Sequence, residues 1–148
     1  MRALLLALCL IAAGPALAWC PLGCDTTWTG AEAAERLAYH FGSLPKGTEV
    51  VALAEGGFQD ITLQARLSTD AKGLKDLLAV LGLSEDDLRP KAHPFLGGEG
   101  PAWFDYAAQE GLVSAEGQTH WLDPVAVAAA PDPESPERWR VYLWANLT

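Results

Sequence analysis

The chain opens on an almost unbroken apolar run, Ala3 to Ala13, preceded by a single positive charge at Arg2. Gly14-Pro15 interrupt the run, and Ala16 and Ala18 place small side chains on either side of Leu17. Charge, apolar core, breaker and small-x-small form the pattern of an export leader, so cleavage after Ala18 is expected. The run falls far short of the ~20 residues that a membrane-spanning helix needs.

After Trp19 the pattern turns periodic. Thr29-Gly30-Ala31-Glu32 reads as a capping box, and Ala33, Ala34, Leu37 and Phe41 follow at helical spacing until Gly42 stops them. The spacing predicts a helix over Gly30 to Phe41. Two runs, Val50 to Ala54 and Phe58 to Leu67, flank Gly56-Gly57, which reads as a tight hairpin turn. In the second run Ile61, Leu63, Ala65 and Leu67 alternate with Asp60, Thr62, Gln64 and Arg66. That period of two predicts a strand with one buried and one wet face.

Leu74, Leu77, Leu78 and Leu81 sit at i, i+3, i+4 and i+7, which predicts a second helix capped by Ser68 or Thr69 and ended by Gly82. Ser84 to Asp87 starts a short turn closed by Pro90, and Lys91 to Pro101 reads as a loop. Pro101 opens a short helix through Trp103, Phe104 and Ala107 to Gly111. A strand follows near Gln118 to Leu122. Val125 to Ala129 and Trp139 to Ala145 form a closing hairpin around a Pro131 to Glu137 loop. The fold class expected is α+β: a single small domain over residues 30–148, an antiparallel sheet with two main helices packed on one face. Residues 19–29 form an N-terminal segment before it.

Removal of the leader leaves 130 of the 148 residues, enough for one domain. The net charge is −9, and −10 once Arg2 is lost. This balance argues against nucleic acid and against anionic membrane surfaces, which both select basic patches. It is compatible with a basic protein partner.

Cys9 leaves with the leader, so Cys20 and Cys24 remain as an even pair in an oxidising compartment, which favours a short disulfide loop. Neither cysteine follows a correctly placed small residue at the end of the apolar core, so no lipid anchor is expected. The location expected is periplasmic or secreted, with no membrane insertion after cleavage.

Chemistry-bearing motifs are sparse. His40, His93 and His120 share no metal-ligand spacing, and no nucleophile elbow, phosphate loop or dinucleotide fingerprint occurs. No cofactor is implied. Aromatic residues stand out instead. Trp103, Phe104 and Tyr106 follow a glycine-rich stretch, and Arg140, Tyr142 and Trp144 alternate with Trp139, Val141 and Leu143 in the last strand. If the second set faces the core, Arg140, Tyr142 and Trp144 face the other way, either as a surface of residue types enriched at interface hot spots or, where a helix or neighbouring strand covers Tyr142 and Trp144, as further core. The function expected is therefore that of an exported, non-catalytic accessory protein that binds another macromolecule through this aromatic surface. Cu(I) handling by reduced Cys20 and Cys24 is the alternative, because thiolates suit soft cations. A small hydrolase ranks third.

Overall fold

A computed structural model describes residues 26–57, 59–90, 101–119, 121 and 123–148. The leader, Cys20 and Cys24, Phe58, His120, Leu122 and most of the expected 91–101 loop lie outside the described residues. Among the described residues the architecture is α+β, with six antiparallel strands and two α-helices. In chain order these are β1 (Thr26–Trp28), α1 (Gly30–Phe41), β2 (Glu49–Gly56), β3 (Ile61–Asp70), α2 (Ala71–Val80), β4 (Val113–Gln118), β5 (Pro124–Asp132) and β6 (Ser135–Leu147). The strands lie in the order β1-β2-β3-β6-β5-β4, so β3 and β6 form the centre of the sheet.

α1 has the expected limits, but its start is built differently. Thr29 occupies the N-cap position and its side chain makes no capping hydrogen bond. The chain enters the helix through Gly30 at φ 61°, a left-handed turn. Glu32 still lies in the first turn, where a carboxylate suits the helix dipole. At the other end Gly42 donates its N–H to the Ala38 carbonyl at 2.8 Å and closes the helix.

α2 is capped by Asp70 rather than by Ser68 or Thr69: Asp70 Oδ1 accepts from the Gly73 N–H at 2.7 Å. Pairing decides this, because β3 continues to Asp70 opposite Arg138 and keeps both Ser68 and Thr69 in the strand. Thr69 is fully buried and its hydroxyl lies 2.9 Å from that of Thr48. Gly73 allows this corner to close, since a Cβ there would lie 1.9 Å from Thr69 Oγ1.

Several connections differ from the expected ones. The β2–β3 turn is wider than two residues: pairing ends at Gly56 opposite Thr62, so β3 starts at Ile61 instead of Phe58. Conversely, the expected Pro131 to Glu137 loop is largely strand. Asp132 pairs with Ser135 across a two-residue turn, and Asp132 Oδ1 accepts from the Glu134 N–H. β4 ends at Gln118, where a strand was expected to begin. Backbone bonds between Ser114 and Arg89 in both directions place β4 earlier in the chain and cover part of its outer edge.

Alternation along the strands feeds two apolar clusters. The larger unites Ala33 and Leu37 of α1 and Leu74, Leu77 and Leu78 of α2 with Leu63, Ala65 and Leu67 of β3 and Val141, Leu143 and Ala145 of β6. The smaller gathers Ala126, Ala128 and Tyr142 from the opposite strand parity with Phe104 and Tyr106. The wet face expected for β3 is correspondingly closed: Gln64 is buried, and Thr62 and Arg66 are half-buried.

Leu77 is 1 % exposed and Leu78 fully buried within the larger cluster. Truncating such a leucine typically costs ~2–5 kcal/mol through lost transfer energy and the residual cavity. Leu77→Ala and Leu78→Ala should therefore both lower the denaturation midpoint sharply. Parent-like melting of both would mean that α2 is not packed as described.

Candidate functional site

The residues expected to form an aromatic surface come together, but largely as core. Strand alternation places Arg140, Tyr142 and Trp144 on one side of β6, as expected, and residues 101–112 lie across that side. The expected Pro101 to Gly111 helix is replaced by a turn, in which Phe104 N–H donates to the Pro101 carbonyl, and by a 3-10 turn at Tyr106–Ala108. The reason is packing. Phe104 and Tyr106 both meet the ring of Tyr142, with centroids at 5.5 and 6.2 Å in edge-on geometry, and two residues two apart in sequence do not share one helix face.

Tyr142 is consequently 0 % exposed, and Phe104 and Tyr106 are buried beside it. Trp103 and Trp144 are half-buried against the same cluster. Polar contacts hold the segment in place. Tyr142 Oη donates to Asp105 Oδ1 at 2.7 Å, and Arg140 Nη1 donates to Gln109 Oε1 at 3.3 Å. Arg140 is further occupied by Asp132 at 3.0 Å. Burial opposes the Arg140 charge, and the Asp132 carboxylate and the Tyr142 phenol together offset it, so its pKa is raised. Burial, reinforced by the hydrogen bond to Asp105, pushes the Tyr142 phenol well above the ordinary tyrosine range. Tyr142, Phe104 and Tyr106 therefore act as packing, and a free surface built on them is corrected to a second core.

Exposed aromatic surface lies elsewhere. Trp121 is exposed just beyond β4, its N–H donating to Thr119 Oγ1. Tyr39 on α1 is 86 % exposed. It belongs to the helix face opposite Ala33 and Leu37, together with Glu32, Glu35 and Arg36, and these four line a shallow depression of about 340 Å³. An adjoining groove of about 330 Å³ is lined by Arg36, Tyr39, His40, Glu55 and Ile61, the last of which is 39 % exposed at the start of β3.

Glu55 on β2 organises this groove. Its Oε2 accepts from Arg36 Nη1 at 3.3 Å, and its Oε1 lies 3.0 Å from His40 Nε2. The i, i+4 spacing of Arg36 and His40 presents both to the same carboxylate. Arg36 also lies over the ring of Trp28, with Cζ 3.9 Å from the centroid, a cation–π contact that ties β1 to α1. The rings of Tyr39 and His40 meet edge-on at 5.3 Å.

The sequence reading overlooked this groove, although part of it was legible. Positions 32, 35, 36 and 39 fall off the apolar stripe of α1, so an exposed tyrosine among carboxylates follows from the helical period alone. Glu55 and Ile61 required the tertiary fold. Among the described residues no group of three or more His, Cys, Asp or Glu side chains could hold a metal ion. No helix among them is long and apolar enough to cross a membrane. No protein-family model, curated protein or solved structure matches the chain.

The Tyr142–Asp105 hydrogen bond has two measurable consequences. Tyr142→Phe should lower stability by about 1 kcal/mol, the usual net worth of such a bond. A raised folded-state phenol pKa also means that this residue's contribution is complete below the unfolded tyrosine pKa and is lost as pH rises above it. Burial raises the Tyr106 phenol as well, so ultraviolet titration of the parent should show two late-ionising tyrosines with Tyr142 the later, and Tyr142→Phe should remove the last step. A last step unchanged in the variant, with both late tyrosines still titrating, would contradict the assignment.

Proposed function

We propose that this chain is an exported, non-catalytic accessory protein that binds a basic protein partner through the outer face of α1. The single observation that carries the reading is Tyr39, a large amphipathic ring left 86 % exposed beside Ile61 at the mouth of a formed groove. Tyrosine is a preferred hot-spot residue, since it offers a large contact area at little cost in conformational entropy.

Charge complementarity supports a basic partner. In the groove, Arg36 and His40 are both committed to Glu55, while the neighbouring Glu32 and Glu35 are exposed in the same helix face. The net charge of −9 acts in the same direction over longer range and would steer a cationic partner towards the protein. Export rests on the leader pattern of Met1 to Ala18. The surface first expected, around Tyr142, is replaced in this reading by Tyr39 because Tyr142 is enclosed.

Tyr39 touches little, so Tyr39→Ala should leave the melting temperature almost unchanged, as surface substitutions generally do. The probe is a synthetic peptide of alternating lysine and leucine, with a glutamate–leucine peptide as control. The protein should bind the cationic peptide and not the acidic one. Tyr39→Ala should weaken that binding by about 2 kcal/mol or more if the ring is a hot spot. Equal affinity for both peptides, or binding indifferent to Tyr39, would overturn the proposal.

A further inference from the structure

We infer that protonation of His40 switches the α1 groove from a form that accepts a cationic partner to one that repels it. The inference rests on the proposed docking of a basic partner at this groove and adds its regulation. It stands on geometry. His40 lines the groove, its Nε2 lies 3.0 Å from Glu55 Oε1, and its ring meets the exposed Tyr39 edge-on. A carboxylate can only accept, so Nε2 must carry a proton in the neutral imidazole as well. The nitrogen left to accept a proton is therefore Nδ1, and a proton there adds a full positive charge without breaking the bond to Glu55.

The charged and titratable groups that line the groove are Arg36, Tyr39 and His40 of α1 and Glu55 of β2. β3 contributes the uncharged Ile61, and β1 contributes the ring of Trp28 beneath Arg36. Glu32 and Glu35 border the adjoining depression. Between about pH 8 and pH 5, guanidinium groups keep their charge, carboxylates ordinarily titrate at lower pH and phenols at higher pH. Imidazole is the group whose ordinary range falls within that interval.

With His40 neutral, Arg36 and Glu55 balance, and Glu32 and Glu35 give the surface its sign. With His40 protonated the groove itself becomes positive, and Glu55 is shared between two full cations. A partner ammonium would then meet an added like charge a few ångströms away and would compete with imidazolium for Glu55. With the screening of bulk water, a unit charge at that separation changes affinity by roughly three- to tenfold, and added salt reduces the effect.

The test measures binding of the labelled lysine–leucine peptide to the full chain at about pH 8 and about pH 5, alongside His40→Gln, which keeps an N–H donor for Glu55 but cannot take up a charge. The parent should bind roughly three- to tenfold more weakly at the lower pH, with the gap shrinking as salt is added. His40→Gln should bind about equally at both. A parent affinity that is independent of pH but still dependent on Tyr39 would overturn the switch and leave the docking site standing. Absence of binding at every pH would overturn both. Should His40→Gln fail to fold, the salt series on the parent decides: a pH gap that persists undiminished at high salt would contradict an electrostatic switch.

Discussion

The antiparallel pairing of β3 with β6 is the constraint on which the rest of the structure depends. Ten residue pairs, from Ile61 opposite Leu147 to Asp70 opposite Arg138, join the β1-β2-β3 half of the sheet to the β6-β5-β4 half. Arg138 reinforces one end, where Nε donates to Ser68 Oγ at 2.7 Å and Nη2 to the Ser68 carbonyl at 2.9 Å. Register matters because of the period of two. With Leu63, Ala65 and Leu67 opposite Ala145, Leu143 and Val141, all six enter the larger core. A slip of one residue would send a whole strand's apolar set to the opposite face. The same register that fills that core sets Tyr142 opposite Arg66 and Trp144 opposite Gln64 on the other side.

That second side explains where aromatic surface is free and where it is not. β5 offers only small side chains there, Ala126 and Ala128, and Tyr142 stands over them. Residues 101–112 fill the remaining depth with Phe104 and Tyr106, and Arg66 Nη1 donates to the Trp103 carbonyl at the rim. The polar atoms of Tyr142 and Arg140 are satisfied within this cover, as buried polar groups must be. Among the described residues, none lies across the outer face of α1 in this way. Tyr39 and Ile61 remain exposed around a partly buried carboxylate that is already bonded to Arg36 and His40. A surface in that condition is ready to meet a partner at little cost in reorganisation.

Strongly periodic elements were legible in the sequence. The limits of α1, the leucine stripe of α2 and the alternation of β3 follow from side-chain spacing alone, and spacing survives folding because burial enforces it. The misread features are those decided by distant partners. β1 spans three residues with no period to detect, and it forms against β2 with Trp28 beneath Arg36. Asp70 caps α2 because pairing with β6 holds Ser68 and Thr69 in the strand. Residues 101–112 look helical by composition, yet they adopt the path that delivers Phe104 and Tyr106 to Tyr142. The parity of Tyr142 was readable and its burial was one of two open readings, but the segment that covers it, some forty residues upstream, was not. Conversely, Tyr39 was readable as exposed from its place off the stripe of α1, while the Glu55 and Ile61 that complete the groove were not.

Native-state hydrogen exchange resolved to single amides tests the role of the β3–β6 pairing most directly. If that pairing is the spine of the molecule, amides of residues 63–67 and 141–145 open only with global unfolding and exchange last, whereas those of the short edge strand β1 exchange much faster through local opening. Exchange of the β6 amides as fast as those of β1, with α2 or β5 still protected, would contradict the account.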